Sequence, residues 1–316
     1  LILATVIAAL RAISLGLEDT IVSSVVPVPG LLVAVGLTAV MVSNKDPNNT
    51  AYFYAMGIKG AAWGLLIAYL YMLIAMVWSM LEHQAIWYYR NWRVNFRCMW
   101  QIFREGLAIP MRFNVVTGSI AGLGLVVGTI GAVELAAHQL AISLYFTLSI
   151  IGLAVGEAVM VLLAASLARG SYVLARKFAL GGLVLSMVLM TLIALLVLFY
   201  PTVIAQSFIG RRSEDTLTLI AMGKVLQFSV LALIGGGIYE TLAMYLRPLN
   251  GSRYLLKVAT FAIAGLGVGG AILVRFVYGK SLLAMWLMFD LGLFLAAYLL
   301  WREVWRRLNA PLKKKS

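Results

Sequence analysis

Eight apolar stretches, each long enough to cross a bilayer, fill this chain almost end to end. They lie near 21–43, 60–81, 113–133, 135–156, 178–208, 225–246, 258–274 and 281–301. A spanning helix needs roughly 20 mainly apolar residues. Lipid offers no water to backbone N–H and C=O groups, so each stretch must close its hydrogen bonds within itself, as an α-helix does. Composition agrees: 63% of residues are hydrophobic, 12% are charged and the mean hydropathy is +0.97, whereas soluble domains carry about 25% charged residues. The chain reads as an all-α polytopic membrane protein. The usual step from 316 residues to about two soluble domains therefore does not apply.

A net charge of +13 would fit nucleic acid, but its distribution excludes that partner. The Lys and Arg residues lie in short loops at alternate helix ends. One side carries Arg11, Arg90, Arg93, Arg97, Arg104, Arg169, Arg176, Lys177, Arg247, Arg253, Lys257, Arg302, Arg306, Arg307 and Lys313 to Lys315; the other carries only Lys45, Lys59, Arg211, Arg212, Arg275 and Lys280. The positive-inside rule puts the richer side in the cytoplasm. The 82–105 connection and the C-terminus are then cytoplasmic, and 44–50 and 209–216 face outwards, in a multi-pass protein of the plasma or bacterial inner membrane. Trp87, Tyr88, Tyr89, Trp92 and Trp100 fit an interfacial aromatic belt on the cytoplasmic side. A single cysteine, Cys98, excludes a disulfide framework, and two histidines, His83 and His138, leave little scope for zinc. The chain opens at Leu1 inside an apolar run, with no basic segment or cleavage site before it, and reads as truncated rather than as starting with a signal peptide.

Two segments repeat in order and setting. LRAISLGLEDT (10–20) and MYLRPLNGSRY (244–254) each follow a helix end with Arg and Gly. Each then leads to an apolar span, an outward loop with Gly57 or Gly279, and a last span ending on the basic side. Both copies start on the same side, which makes the repeat parallel, about an axis along the membrane normal. With a six-helix unit, 106–301 is a complete second lobe and 1–81 the remainder of a first. The stretch 82–105 is a basic inter-lobe connection and 302–316 a basic tail.

These residues resemble the multidrug and toxic compound extrusion (MATE) transporters. ELAAHQLAISLYFTLSIIGLAVGEAVMVLLAASLARG (134–170) is similar to the family's eighth helix and the turn after it. FREGLAIPMRF (103–113) is similar to the start of the seventh, and MGIKGAAWG (56–64) to the opening of the sixth. LRAISLGLEDT resembles the Arg-x-x-x-x-Gly-x-Gly-Asp-Thr turn after the fourth, with Glu18 in place of a glycine. GLAV (152–155) and LAASLARGSY resemble the branch called DNA-damage-inducible protein F. The resemblance implies a two-lobe bundle, monomeric when full length, without a cofactor. It implies export of small organic cations or amphipathic compounds, coupled to inward movement of protons or sodium. The family's first three helices have no counterpart here, and an acidic residue important for coupling in many members lies in the first. Where the seventh helix often carries Glu, this chain has Thr117, Gly118 and Ser119, so both coupling ions stay open. A flippase for lipid-linked sugars, with a more cationic cavity, and a non-transporting fragment are the alternatives.

Ionisable residues inside a bilayer cost at least about 2.5–3.5 kcal/mol and are functional candidates by default. Glu240 leads, about sixteen residues into its span and just after Gly235, Gly236 and Gly237, which would loosen the helix towards a cavity. It could exchange a proton or pair with a cationic substrate, or be a structural carboxyl bonded to a neighbouring helix. Glu157 follows Gly156 and could instead pair with Arg169 or Arg176. Arg112 and Asn114 follow Pro110 at a helix start, and Arg112 reads as snorkelling to headgroups before it reads as a counter-charge for Glu157 or Glu240. Gln139, Ser143 and Thr147 recur every four residues and either line a cavity or tie helices together. Asp290 lies at mid-span of the last helix, and His138, near the outer end of its helix, reads as structural.

Gly265-x-Gly267-x-x-Gly270 matches a dinucleotide fingerprint but lies inside an apolar helix with no strand before it. Close helix packing explains it better, as it does Gly118-x-x-x-Gly122 and Gly152-x-x-x-Gly156. Asn48-Asn49-Thr50 fits a glycosylation sequon, common by chance, and Lys313 to Lys315 read as a lipid-attracting end. No nucleophile–base pair, phosphate loop or metal spacing points to an enzyme.

Overall fold

A computed structural model describes residues 2–16, 25–43, 58–82, 95–209, 216–279 and 282–310, all of whose regular elements are helices. The chain divides into two compact units, Leu1–Val94 and Asn95–Ser316. Among the described residues, seven helices are long and apolar enough to cross a membrane, and Leu3–Leu15 and Pro27–Met41 are shorter apolar helices. The sequon, the Trp87 to Trp92 aromatics, His83, Gly57, Glu18 and the terminal lysines lie outside the described residues.

The first unit holds α1 (Ile2–Gly16), α2 (Pro27–Ser43) and α3 (Ile58–Glu82). Pro27 opens α2, where a missing N–H is no loss. Small residues bring α2 and α3 together. A Cβ on Gly60 would stand 2.8 Å from Met41 Cβ, and one on Gly64 2.9 Å from Thr38 Oγ1.

The second unit opens with α4 (Phe96–Gly106), whose N-terminus is capped by Asn95 accepting from the backbone N–H groups of Arg97 and Cys98. Its residues Phe96, Met99, Trp100 and Phe103 are exposed, with Arg97 among them and Arg104 next after them, a composition suited to the membrane interface. Six long helical paths follow: α5 (Ala108–Gly128), α6 (Ala132–Ala168), α7 (Tyr172–Phe199), α9 (Thr216–Tyr245), the path from α10 (Ser252–Val258) to α11 (Gly270–Tyr278), and α12 (Leu282–Asn309). The short α8 (Pro201–Ile209) follows α7, and a π-helical run, Ala259–Gly269, joins α10 to α11.

The unit's core forms around α9, which packs on α6, α7 and α12. At the α6–α9 crossing a Cβ on Gly152 would collide with the Gly237 carbonyl, and one on Gly156 would stand 2.9 Å from Thr241 Cα. Thr241 Oγ1 donates to Gly152 O at 2.8 Å or to Gly237 O at 2.9 Å, and lies 2.7 Å from Ser186 Oγ on α7. The π-helical run meets α12 in the same way, a Cβ on Gly292 falling 2.6 Å from Gly267 Cα. Gly152-x-x-x-Gly156 and Gly267 are thus packing glycines, as expected, and Gly270 meets Met288 at 3.6 Å, whereas Gly265 is exposed and meets only Thr260 O of its own run. Among the described residues, a Cβ on Gly118 or Gly122 meets nothing within 4 Å.

Other expectations change with the geometry. The span expected over 178–208 breaks at Tyr200, because Pro201 cannot continue a helical ladder and starts α8 instead. The glycines at 235–237 do not loosen α9. They admit Leu293 and Phe294, Tyr145, and Met190 against its backbone, and the helix runs unbroken through them. Within the stretch expected as the connection, 96–106 is helical. The expected tail begins as helix, since α12 runs on to Asn309. There Glu303 accepts from Arg306 at 2.7 Å and Arg307 at 2.6 Å, Arg307 donates to Leu249 O, and Arg176 donates to Leu308 O at 3.0 Å.

Candidate functional site

The α5 start, the α9 end and the turn after it converge at the end of the unit that carries Arg169, Arg176, Arg253 and Lys257. Pro110 sits in the first turn of α5, where its lost N–H costs little, and Arg112 follows it. Glu240 stands five residues before the end of α9, which is about 7–8 Å of helix rise. The two side chains form a forked ion pair. Arg112 Nη1 donates to Glu240 Oε1 and Oε2, and Nη2 to Oε2, all at 3.1 Å. The Arg112 guanidinium also lies 5.4 Å from the centre of the Tyr239 ring.

Arg112 is only 5% exposed, so it does not snorkel. A helix-start arginine reaches headgroups when its stem lies along lipid, but this one points inwards at a carboxylate from a helix 128 residues away. Glu240 in turn lies nearer the basic end than a mid-membrane depth, because α9 begins well before residue 225.

The pair opens onto a cavity of about 410 Å3. Phe113, Tyr145 and Phe146 supply aromatic wall, Ser149 a hydroxyl, and Glu157 and Arg247 a second carboxylate and guanidinium. Burial, and then the neighbouring Arg112, lower the pKa of Arg247, with Glu157 and Glu240 opposing them. Two anions and two cations thus surround one partly apolar space. Such a set holds itself together when empty, and an incoming charged ligand can exchange for one partner.

Of the residues expected from the sequence, Arg112, Glu240 and Glu157 meet at this cavity. Asn114 is exposed elsewhere on α5, and Thr117 Oγ1 donates to Phe113 O of its own helix at 2.7 Å. Gln139, Ser143 and Thr147 form an exposed stripe on α6 and do not tie helices together within this unit; Thr147 donates to Ser143 O at 2.8 Å. Asp290 is buried away from the cavity. Sequence reasoning missed Arg247, counted only as a loop charge, and Tyr145, which sits on the opposite face of α6 from that polar stripe.

A bundle of membrane-crossing helices with a charged cavity between them is the architecture of a polytopic helical membrane protein. The MatE family profile matches residues 111–273, just over half of the chain, and the chain belongs to the MatE family. It is 24% identical over 260 residues to the probable multidrug resistance protein NorM of Brucella suis biovar 1, an alignment covering 81% of this chain and 55% of that one. It is also similar to an outward-facing multidrug resistance MATE family transporter of the MOP superfamily, with TM-score 0.81 and 15% identity over 95% of this chain and 65% of that one. The eukaryotic MATE transporter AtDTX14 gives TM-score 0.77 and 19% identity, covering 90% and 61%. The chain spans about half the length of the curated relatives it matches.

Proposed function

We propose that this chain serves secondary active export, moving cationic or amphipathic organic compounds outwards in exchange for protons or sodium. The observation that carries the reading is the buried Arg112–Glu240 pair opening onto an aromatic-walled cavity inside a membrane unit. The names of the NorM relatives support it. By the positive-inside rule this end of the unit faces the cytoplasm, where an exporter loads. A cationic compound there competes with Arg112 for Glu240, while Phe113, Tyr145 and Phe146 take up its apolar or π-rich body. The flippase alternative calls for a cavity with net positive charge, whereas this one balances two arginines with two glutamates.

The test is efflux of a fluorescent cation from a host without its own exporters. Glu240→Gln keeps the size of the side chain but not its charge, and should abolish efflux at matched membrane abundance. Undiminished efflux by E240Q would remove the pair from the transport step. The orientation is tested through Cys98, the sole cysteine, which is exposed on α4. An impermeant thiol reagent should label it only after cells are permeabilised, and labelling on intact cells would reverse the topology.

A further inference from the structure

A second carboxyl lies outside that cavity, about half-way along the unit: Gly235 of α9 meets Leu293 and Phe294 of α12, which sets Asp290 level with the middle of α9. Asp290 stands eight residues into α12, is 3% exposed, and neither of its oxygens has a hydrogen-bond partner among the described residues. Trp286 precedes it by one turn on the same helix face. His138, six residues into α6 and 2% exposed, packs against Trp286 with ring centres 5.6 Å apart. His138 Nδ1 and Trp286 Nε1 are likewise buried without partners. Phe289 closes the region, edge-on to Trp286 and to Tyr145 at 5.8 Å each.

The charged and titratable groups of every element packed on α12 can be placed. From α6 come His138 and Tyr145, and the π-helical run has no ionisable side chain. Gly267 of the π-helical run meets Gly292 and Gly270 of α11 meets Met288, a register that puts Arg275 towards the α11–α12 turn. Lys224 of α9 is exposed, while Tyr239 and Glu240 lie near the far end of that helix with Arg253 and Lys257 of α10 and Arg176 and Lys177 of α7. An ionised carboxylate in such a place would be an uncompensated charge in a dry interior. A metal cation would need several oxygen ligands, and no group of three His, Cys, Asp or Glu side chains gathers among the described residues.

We propose that Asp290 is a proton-binding site, separate from the Arg112–Glu240 cavity. Buried and without a hydrogen-bond partner among the described residues, it holds the proton as a neutral carboxyl. When water reaches it, the O–H bond breaks, the electron pair stays on the carboxylate and the proton passes to water. Its use as the coupling ion of export rests on the functional reading above; the proton site itself does not.

Infrared spectroscopy of the membrane-reconstituted protein reads the site without transport. Near neutral pH, the carbonyl band of a protonated buried carboxyl should be present in the unsubstituted protein and in Glu240→Gln, and lost in Asp290→Asn. An unchanged band in D290N would overturn the proposal. Should D290N not fold, Asp290→Glu must keep a protonated-carboxyl band at a shifted position, and its absence would also overturn it. For the coupling role, D290N should lose the dependence of dye efflux on an imposed pH gradient. Efflux by D290N that still follows the gradient would refute coupling through Asp290. No efflux by the unsubstituted protein, with the infrared band in place, would refute the exporter reading and leave the proton site standing.

Discussion

Two places in the six-helix unit hold acidic side chains inside the bilayer in opposite ways. At the basic-loop end, Glu240 is met by a guanidinium from another helix and opens onto a cavity with a second carboxylate and a second arginine. Half-way along the unit, Asp290 is buried one turn after Trp286 and has no hydrogen-bond partner among the described residues. The first arrangement keeps charges in place and makes them exchangeable; the second suits a group that gains and loses charge. A buried carboxyl is thus defined by what meets it, and depth alone does not distinguish the two.

The largest effect should come from breaking the pair. Glu240→Ala leaves Arg112 buried and uncompensated, and Arg112→Ala does the same to Glu240, at a cost of about 3–5 kcal/mol in unfolding free energy. Asp290→Asn, which exchanges one neutral polar group for another, should cost about 1 kcal/mol or less. Thermal unfolding of the three variants in one bilayer composition separates the regimes, and equal losses at 240 and 290 would erase the contrast.

A smaller effect tests the seam that supports the cavity. Gly152→Ala drives a methyl into the Gly237 carbonyl across the α6–α9 crossing, at about 1–3 kcal/mol. Gly118→Ala, with open space around it, should stay within about 0.5 kcal/mol. Thr241→Val removes the hydroxyl shared by Gly152 O, Gly237 O and Ser186, and should cost about 1 kcal/mol by the same measurement.

Membrane spans were legible because burying a backbone in lipid demands long apolar helices, a constraint that each segment obeys alone. Their ends were less so. The continuation of α12 through Glu303 to Asn309 depends on Arg306 and Arg307 folding back on that carboxylate, and no hydropathy pattern carries that information. The break at Pro201 was readable from the proline itself. Glu240 and Glu157 stood out as acids inside apolar runs, yet the partner of Glu240 lay 128 residues away, and only the packing of α5 on the rest of the bundle brings Arg112 to it. The glycine motifs make the same point. Gly118-x-x-x-Gly122 and Gly152-x-x-x-Gly156 share a pattern, and among the described residues only the second has a neighbour to admit.

A double-mutant cycle across Arg112 and Glu240, read by dye efflux at matched membrane abundance, tests the central claim most directly. Arg112→Glu and Glu240→Arg each place like charges together and should abolish efflux and lower the unfolding temperature. The doubly reversed protein restores an opposed pair and should recover the unfolding temperature and part of the efflux. Two single variants that transport as the unsubstituted protein does, or effects that simply add in the double variant, would contradict a working ion pair at this cavity.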